Sequence, residues 1–432
     1  GCRLVAFGSR ATNLVPGDTN GLQDVFVHDR ELGTTTRVVN SANDGGALRD
    51  AGSPSVSEDG LVLAFDTAVN PLLSGSRVYV YDGRVFTVRP LPAPGGADAR
   101  RPATSGDGGF VAFATYGRGS VPGLVYDDRL WLHDLGSGVT RELAVLGDSS
   151  DNFDLAGRPG ISYDGRFVAF ASSRPLLPAD TNRAFEVDVY LQDTQTGERV
   201  LVSFGPDGLA VGGRSPVLSR DGRFVAFSSS SRALLPADGS TEGLFVYDAV
   251  TRRIDLVVSA TAAWVVPAAF TPDARQLSVF TNANWASTDT RAGSVDSYLV
   301  SLDSDNDEVP DTWEGLFGMN PYGADSSGDA DEDGRTNLEE YRDGTHPRGL
   351  FRRMLAEGAT GFFTTTLGLA NVGLWPVKAV VSFLPSQLSG TGVVRRIVEI
   401  PGKSGITIDV GHIAGLESAE FSTSVESSEP IA

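Results

Sequence analysis

Ser162-Tyr-Asp-Gly-Arg-Phe-Val-Ala-Phe170 holds a turn and a strand in nine residues, and it does not stand alone. The pattern Ser-x-Asp-Gly-x-x-x-Ala-Phe recurs at Ser57–Phe65, Ser105–Phe113 and Ser219–Phe227. A truncated copy ends at Phe7, and a degenerate one, Thr271-Pro-Asp-Ala-Arg-Gln-Leu-Ser-Val-Phe280, closes the series. The closing phenylalanines lie 48 to 58 residues apart. A period near 55 is too long for a helical solenoid and suits four strands with their loops.

Each copy has one internal grammar. A proline three residues before the serine (Pro54, Pro102, Pro159, Pro216) leads a short first strand. Asp-Gly then reads as a tight hairpin turn of the primed type, since glycine accepts positive φ. Val-Ala-Phe is the second strand. The third ends in Asp, as in Asp24-Val-Phe-Val-His-Asp29, Val78–Asp82, Leu130–Asp134, Asp188–Asp193 and Leu244–Asp248. Thr36–Val39 and Arg199–Val202 exemplify the fourth. Four antiparallel strands repeated radially solve the problem of unpaired sheet edges. The expected fold is mainly β, a propeller of six or seven blades over residues 1–302. The first copy lacks its opening strand, so residues upstream of Gly1 are expected to complete the ring.

Composition agrees. Among 432 residues there are 51 Gly and 23 Pro but one Cys and two Met, the vocabulary of short strands and turns. Cys2 alone permits no internal disulfide, and cysteine poverty is compatible with export. The net charge of −20 argues against nucleic acid and anionic membranes as partners. No apolar run reaches the ~18–20 residues of a membrane span.

The repeat residues carry a resemblance. Ser-x-Asp-Gly-Arg-Phe-Val-Ala-Phe, with Asn13-Leu-Val-Pro-Gly-Asp-Thr-Asn20 and Asp24–Asp29, resembles the TolB-type propeller repeat. That resemblance implies an interaction platform in the bacterial envelope.

After Leu302 the pattern changes. Fourteen acidic side chains stand against two arginines between Asp303 and Pro347, more than half of the chain's excess charge. Asp329, Asp331 and Asp333 occupy loop positions one, three and five, and Gly334 position six. Arg335 offers its carbonyl at seven, with Asn337 at nine and Glu340 at twelve. This is the Asp-x-Asp-x-Asp-Gly-x5-Glu calcium loop. Ca²⁺ takes six to eight oxygen ligands, and alternate side chains of a tight loop converge on one point. A second copy precedes it: Asp303, Asp305, Asp307, the carbonyl of Val309, Asp311 and Glu314. Glu308 replaces glycine at its position six, where the turn wants positive φ. Asp325 is a further candidate ligand. The bland reading, a solvated acidic linker, explains clustered Asp but not two loops in register. The pair resembles the calcium loops of thrombospondin type 3 repeats and dockerin-like segments, which implies calcium as cofactor and an extracellular address. Residues 303–347 form this module.

Residues 348–432 read as a β-sandwich-like domain. Its strand candidates are Leu367–Asn371, Ala379–Leu384, Val393–Ile400, Ile406–Val410 and Phe421–Val425. The opening Glu357-Gly-Ala-Thr-Gly-Phe-Phe363 resembles a domain found on bacterial surface proteins.

No catalytic motif is present: neither Gly-x-Ser-x-Gly nor His-Glu-x-x-His occurs, and Gly402-Lys-Ser404 is only the tail of a phosphate loop. His28 and His133 share one third-strand position, which points to a blade-face role. Asp18-Thr-Asn20 with Asp24, and Asp180-Thr-Asn182 with Asp188, read as Asx-turns in preference to cation sites. The expected function is a secreted or cell-surface calcium-binding interaction protein whose partner is a protein or glycan. The alternatives are a propeller glycosidase or lyase, signalled by Glu, Asp, Arg and His clustered at the channel mouth, and a periplasmic TolB-like component.

Overall fold

The Val-Ala-Phe strands are buried on both faces, and that burial dictates the architecture. In copies two to five the side chains of Val62–Phe65, Val111–Phe113, Val168–Phe170 and Val225–Phe227 are at most 2% exposed. A strand covered on both sides reads as a continuous apolar run, and a sheet covered on both sides needs neighbours above and below. The computed structural model describes residues 3–19, 21–38, 48–69, 76–85, 87–94, 98–116, 128–147, 157–181, 186–235, 239–261, 263–283, 285, 295–360, 365–386, 392–413, 415–416 and 418–432. Asn20, Asn182 and the segment 361–364 therefore lie outside the described residues.

The chain forms two compact units. The first comprises Gly1–Leu176, Arg183–Arg199 and Arg214–Gly222; the second comprises Leu177–Asn182, Val200–Gly213 and Arg223–Ala432. In the first, β1 (Leu4–Ser9), β2 (Asp24–Asp29) and β3 (Thr34–Arg37) make a three-stranded antiparallel sheet, lacking the opening strand as expected. β4 (Leu48–Val56), β5 (Val62–Val69), β6 (Ser76–Asp82) and β7 (Thr87–Pro90) make a four-stranded meander. So do β8 (Asp98–Thr104), β9 (Phe110–Tyr116), β10 (Asp128–Asp134) and β11 (Thr140–Gly147). β12 (Gly160–Ile161), β13 (Phe167–Ser172) and β14 (Asp188–Asp193) pair in sequence, followed by β15 (Arg199–Leu201) and β16 (Arg214–Leu218).

One turn recurs in copies two to six, and it differs from the primed hairpin expected from Asp-Gly. Ser57 Oγ donates to Asp59 Oδ1 (2.5 Å) and accepts the Val62 N–H (3.0 Å), while the Gly60 N–H donates to the Ser57 carbonyl (2.9 Å). Gly60 is thus the fourth residue of the turn, at φ +72°, with Glu58 and Asp59 at negative φ. Ser105, Ser162 and Thr271 head the same bonds, at 2.6–2.7 Å to their aspartates. The serine hydroxyl competes for the turn's backbone groups, so the loop is wider than two residues.

These turns bind the copies together. The Glu58 N–H donates to the Gly106 carbonyl (2.9 Å), Asp107 N–H to Tyr163 (2.9 Å) and Tyr163 N–H to Arg220 (2.8 Å). Glu58 and Arg220, 162 residues apart, then meet side chain to side chain at 2.8 Å. The turns of copies two to four, with the Ser219–Gly222 turn of copy five, therefore meet within this unit, as the inner turns of a propeller do. A Cβ on Gly165 would lie 2.3 Å from Phe110, and one on Gly222 2.4 Å from Phe167, so each turn glycine seats the preceding copy's second strand. Ser53, Arg101 and Ser215, each just before a conserved-in-repeat proline, adopt φ of 48–54°. The first strands bulge there, between Gly52 and Ser55 and between Arg100 and Ala103.

In the second unit, β17 (Phe224–Ser229), β18 (Glu242–Asp248) and β19 (Arg253–Ala260) continue the pattern. β20 (Val265–Phe270), β21 (Gln276–Thr281) and β22 (Asp296–Ser301) form a three-stranded sheet. Cross-strand aromatic pairs mark the register: Phe7–Phe26, Phe65–Tyr79, Phe170–Tyr190 and Phe227–Phe245 stack at 5.6–5.8 Å. Such pairs are worth about 0.5–1.5 kcal/mol each beyond their burial.

Two seven-residue helices follow, Asp311–Phe317 and Asn337–Asp343, each ended by a glycine at φ +68°. Six strands follow among the described residues of the tail: β23 (Phe351–Ala359), β24 (Thr366–Asn371), β25 (Val377–Pro385), β26 (Val394–Ile400), β27 (Ser404–Asp409) and β28 (Glu420–Ser427). They form sheets in the orders β23-β28-β25-β26 and β24-β27 around Val381, Phe383, Val394 and Phe421. All five tail strands expected from sequence are present. β23 was not anticipated, because its Phe351-Arg-Arg-Met lacks alternation.

Candidate metal centre

The two acidic loops fold alike. In each, position one accepts the N–H of position six: Asp303 from Glu308 (3.2 Å) and Asp329 from Gly334 (2.8 Å). Position three accepts from position five, Asp305 from Asp307 (3.2 Å) and Asp331 from Asp333 (3.3 Å). Position five accepts from position seven, Asp307 from Val309 and Asp333 from Arg335, both at 3.0 Å. Positions four and six are left-handed in both: Asn306 and Glu332 at φ 62°, Glu308 at 78° and Gly334 at 94°. Glu308 thus adopts the glycine conformation that the sequence reading flagged, with its side chain paired to Arg342 at 2.6 Å. A non-glycine residue there costs about 1–2 kcal/mol.

The side chains converge. Asp303, Asp305 and Asp307 have ligand atoms within 4.8 Å of one another, as do Asp307, Glu314 and Asp325, and Asp329, Asp331 and Asp333. Asp307 belongs to both first-loop groups, and Asp325 joins from the connector. Asp311 does not join: its carboxylate accepts from Ser304 N (2.7 Å) and Oγ (2.6 Å), closing the loop instead. Asn337 is buried, its Nδ2 donating to the Asp325 carbonyl (2.8 Å) while Oδ1 has no partner. Glu340 sits outside the 4.8 Å group of its loop but close enough for Asp331 and Asp333 to act on it.

Position twelve is the telling one. Glu314 is fully buried and neither carboxylate oxygen has a partner; Glu340 is 1% exposed with Oε2 unpartnered. Asp305 Oδ2 and Asp325 Oδ1 are likewise unsatisfied. Burial first, then repulsion from Asp305 and Asp307, pushes Glu314 up to about 8. Burial and the charges of Asp331 and Asp333 do the same to Glu340, also about 8. The helices hold these glutamates in place: Trp313, Phe317, Met319 and Tyr341 pack with Val309 and Val380, and Trp313 meets Phe317 and Tyr341 edge-on at 5.1 and 5.6 Å. A capping box at Thr336 and Glu339 starts the second helix.

One contact escaped the sequence reading. Arg275, from the degenerate turn of copy six, reaches Asp303 at 3.3 Å and the Asn306 carbonyl at 3.3 Å. A signal existed, because Arg3–Asp29, Arg166–Asp193 and Arg223–Asp248 pair the same way, at 2.7–2.8 Å, in earlier copies. Asp303 therefore closes the last repeat and opens the first loop.

Elsewhere the polar groups serve the scaffold. His28 and His133 each meet a fourth-strand threonine, Thr35 (3.0 Å) and Thr140 (2.8 Å). Asp18 and Asp24 share Arg37, at 3.1 and 3.3 Å. At the converging turns Arg220 pairs with Glu58 and covers the Tyr163 ring at 3.9 Å.

No family model matches the chain, and no curated protein matches it. Its fold defines a class: mainly β, with repeated antiparallel meanders of the propeller kind. Among solved structures it is similar to TolB from Acinetobacter baumannii, at 14% identity over 66% of this chain and 62% of that one, TM-score 0.42. It is also similar to the β-propeller domain of the Trilobed protease from Pyrococcus furiosus (14% identity, 69% and 79% covered, TM-score 0.44). An oligogalacturonate lyase in complex with manganese is a third (13%, 70% and 75%, 0.44). The chain spans under two thirds of that TolB, and the likenesses concern fold alone. Among the described residues no helix is long and apolar enough to cross a membrane.

Proposed function

We propose that this chain is a calcium-binding interaction protein of the cell exterior, its propeller offering a partner face and its two acidic loops each holding Ca²⁺. The observation that carries the metal reading is Glu314, buried with both oxygens unpartnered beside Asp307 and Asp325. A buried polar group without a partner costs about 1–3 kcal/mol, more when charged, and crowded carboxylates add repulsion. A divalent cation reverses both. The donors are all oxygen, with no His or Cys among them, which selects a hard ion. Asp303, Asp305, Asp307, Glu314 and Asp325 would serve the first ion, with the Val309 carbonyl. Asp329, Asp331, Asp333, Glu340, the Arg335 carbonyl and Asn337 would serve the second. Flexible carboxylate shells of this kind suit Ca²⁺ better than the strict octahedron of Mg²⁺. Bound calcium would fix the two short helices and the aromatic core between them. Weak modular sites fill where calcium is millimolar, which supports an extracellular or periplasmic address.

Calorimetric titration of the chelator-treated protein with CaCl₂ tests this. Two equivalents are expected, falling to one in Glu314→Gln and in Glu340→Gln. No uptake at millimolar Ca²⁺ removes the proposal. The partner is a protein or glycan, as the loop-lined end of a propeller presents many side chains at once. The enzyme alternative draws on Glu58, Tyr163 and Arg220 at the converging turns, but these satisfy one another, as a clasp does.

A further inference from the structure

The second unit contains a cleft of about 660 Å³ apart from the metal loops. Phe204, Leu234, Ile254, Leu316, Ile406 and Ile408 supply apolar walls. The volume falls within the roughly 300–1,000 Å³ of small-molecule sites. Its charge is unlike the rest of this acidic chain. Arg252, Arg253, Lys378 and Arg396 line it, against Asp207, Glu399 and Asp409.

Most of these groups have partners, Arg252 among them. Arg253 pairs with Asp255, and Lys378 Nζ donates to the Leu316 carbonyl at 2.6 Å. Asp207 accepts the Leu209 N–H (3.1 Å), Asp409 accepts the Gly411 N–H (3.2 Å) and faces His412 (2.9 Å), and Glu399 is exposed. Arg396 lies 4.6 Å over the Phe204 ring, and among the described residues no carboxylate pairs with it. Its enclosure, with Arg252 near, holds its pKa down to about 10, which still leaves it cationic at neutral pH. A guanidinium held in a largely apolar cleft without a counter-ion is costly unless an anion joins it. The fork of Arg suits a planar or tetrahedral oxyanion.

We propose that this cleft binds an amphipathic monoanion, its carboxylate or sulfonate head on Arg396 and its apolar body against Phe204, Ile406 and Ile408. A monoanion fits because four cations line the cleft against three carboxylates, an excess of one. An aromatic or acyl body fits because the remaining walls are chiefly aliphatic with a single ring.

Two fluorescent probes of one shape test it, the sulfonate 1-anilinonaphthalene-8-sulfonate and its neutral parent N-phenyl-1-naphthylamine, with calcium present. Arg396→Gln should weaken the sulfonate about tenfold or more and leave the neutral probe unchanged; Arg396→Lys should restore most of the loss. Ile408→Trp, which fills the cleft, should weaken both probes. Near-ultraviolet circular dichroism checks each variant for native packing. If Arg396→Gln binds the sulfonate as tightly as the parent, or loses both probes equally, the assignment of the head group fails. If Ile408→Trp leaves both unaffected, the probes bind elsewhere and the site is refuted.

Discussion

Gly165 and Gly138 make a matched pair for testing whether the copies stack as described. Their φ angles are nearly identical, at +71° and +73°. An alanine at either pays the left-handed strain of about 1–2 kcal/mol. Their surroundings differ. A Cβ at 165 would lie 2.3 Å from Phe110 Cδ2 and 2.6 Å from its Cγ, whereas one at 138 would have nothing within 4 Å. The Phe110 ring belongs to the preceding copy and is partly buried, and its Cβ as well as its ring lies within 3.0 Å of the added methyl, so the side chain as a whole must shift. Overpacking of that kind costs about 1–3 kcal/mol. Gly165→Ala should therefore destabilise by about 2–5 kcal/mol and Gly138→Ala by about 1–2, from the left-handed strain alone. Urea unfolding followed by tryptophan fluorescence and far-ultraviolet dichroism, with both variants compared at equal slope, measures the difference. Replacing Phe110 with Ala in the Gly165→Ala background should recover part of the excess, a coupling that neighbouring residues show and distant ones do not. Equal losses for the two single variants would mean that the turn of one copy does not seat the strand of the one before it.

Phe227 and Phe280 occupy one repeat position but differ in burial, 0% against 45%. Phe227→Ala should cost about 3–5 kcal/mol and Phe280→Ala less than about 1, read from denaturation midpoints. Glu58 and Arg220 are each 45% exposed, so Arg220→Met should change stability by no more than about 1 kcal/mol despite its reach across 162 residues. With Glu314 and Glu340 raised from 4.5 to about 8 in the folded, metal-free state, folding takes up protons between those values. Stability without calcium should therefore fall as pH rises from 5 to 8. Calcium affinity should rise over the same range and binding should release protons near pH 7, visible as acidification of an unbuffered sample; no proton release would separate these glutamates from the metal.

The strands were legible because the repeat writes them several times over. Val-Ala-Phe, or Leu-Ala-Phe in copy two, is apolar on both faces in copies two to five, and the third strand's closing Asp recurs with it. The turn was misread, because Asp-Gly looks like a two-residue hairpin until the serine hydroxyl two places earlier is counted as a backbone partner. In the acidic segment the loop spacing gave position numbers but not side-chain directions. Asp311 stands at position nine yet turns to Ser304, a local competitor that spacing cannot weigh. Arg275 was missed because Asp303 was assigned wholly to the loop, although the Arg–Asp pairs of earlier copies pointed to it. The Arg396 cleft was beyond reach, since its walls come from segments some 200 residues apart in the chain.

The second residue of each Ser-x-Asp-Gly turn offers a main-chain group to its neighbour while its side chain differs from copy to copy: Glu58, Gly106, Tyr163, Arg220. The consequence is a fixed frame with interchangeable letters. Acid, no side chain, aromatic and base stand at equivalent places above main-chain links that accept at Gly106, Tyr163 and Arg220 alike. New chemistry is therefore open at 58, 163 and 220, whereas 106 is held to glycine, since a Cβ there would lie 2.3 Å from the Tyr163 ring.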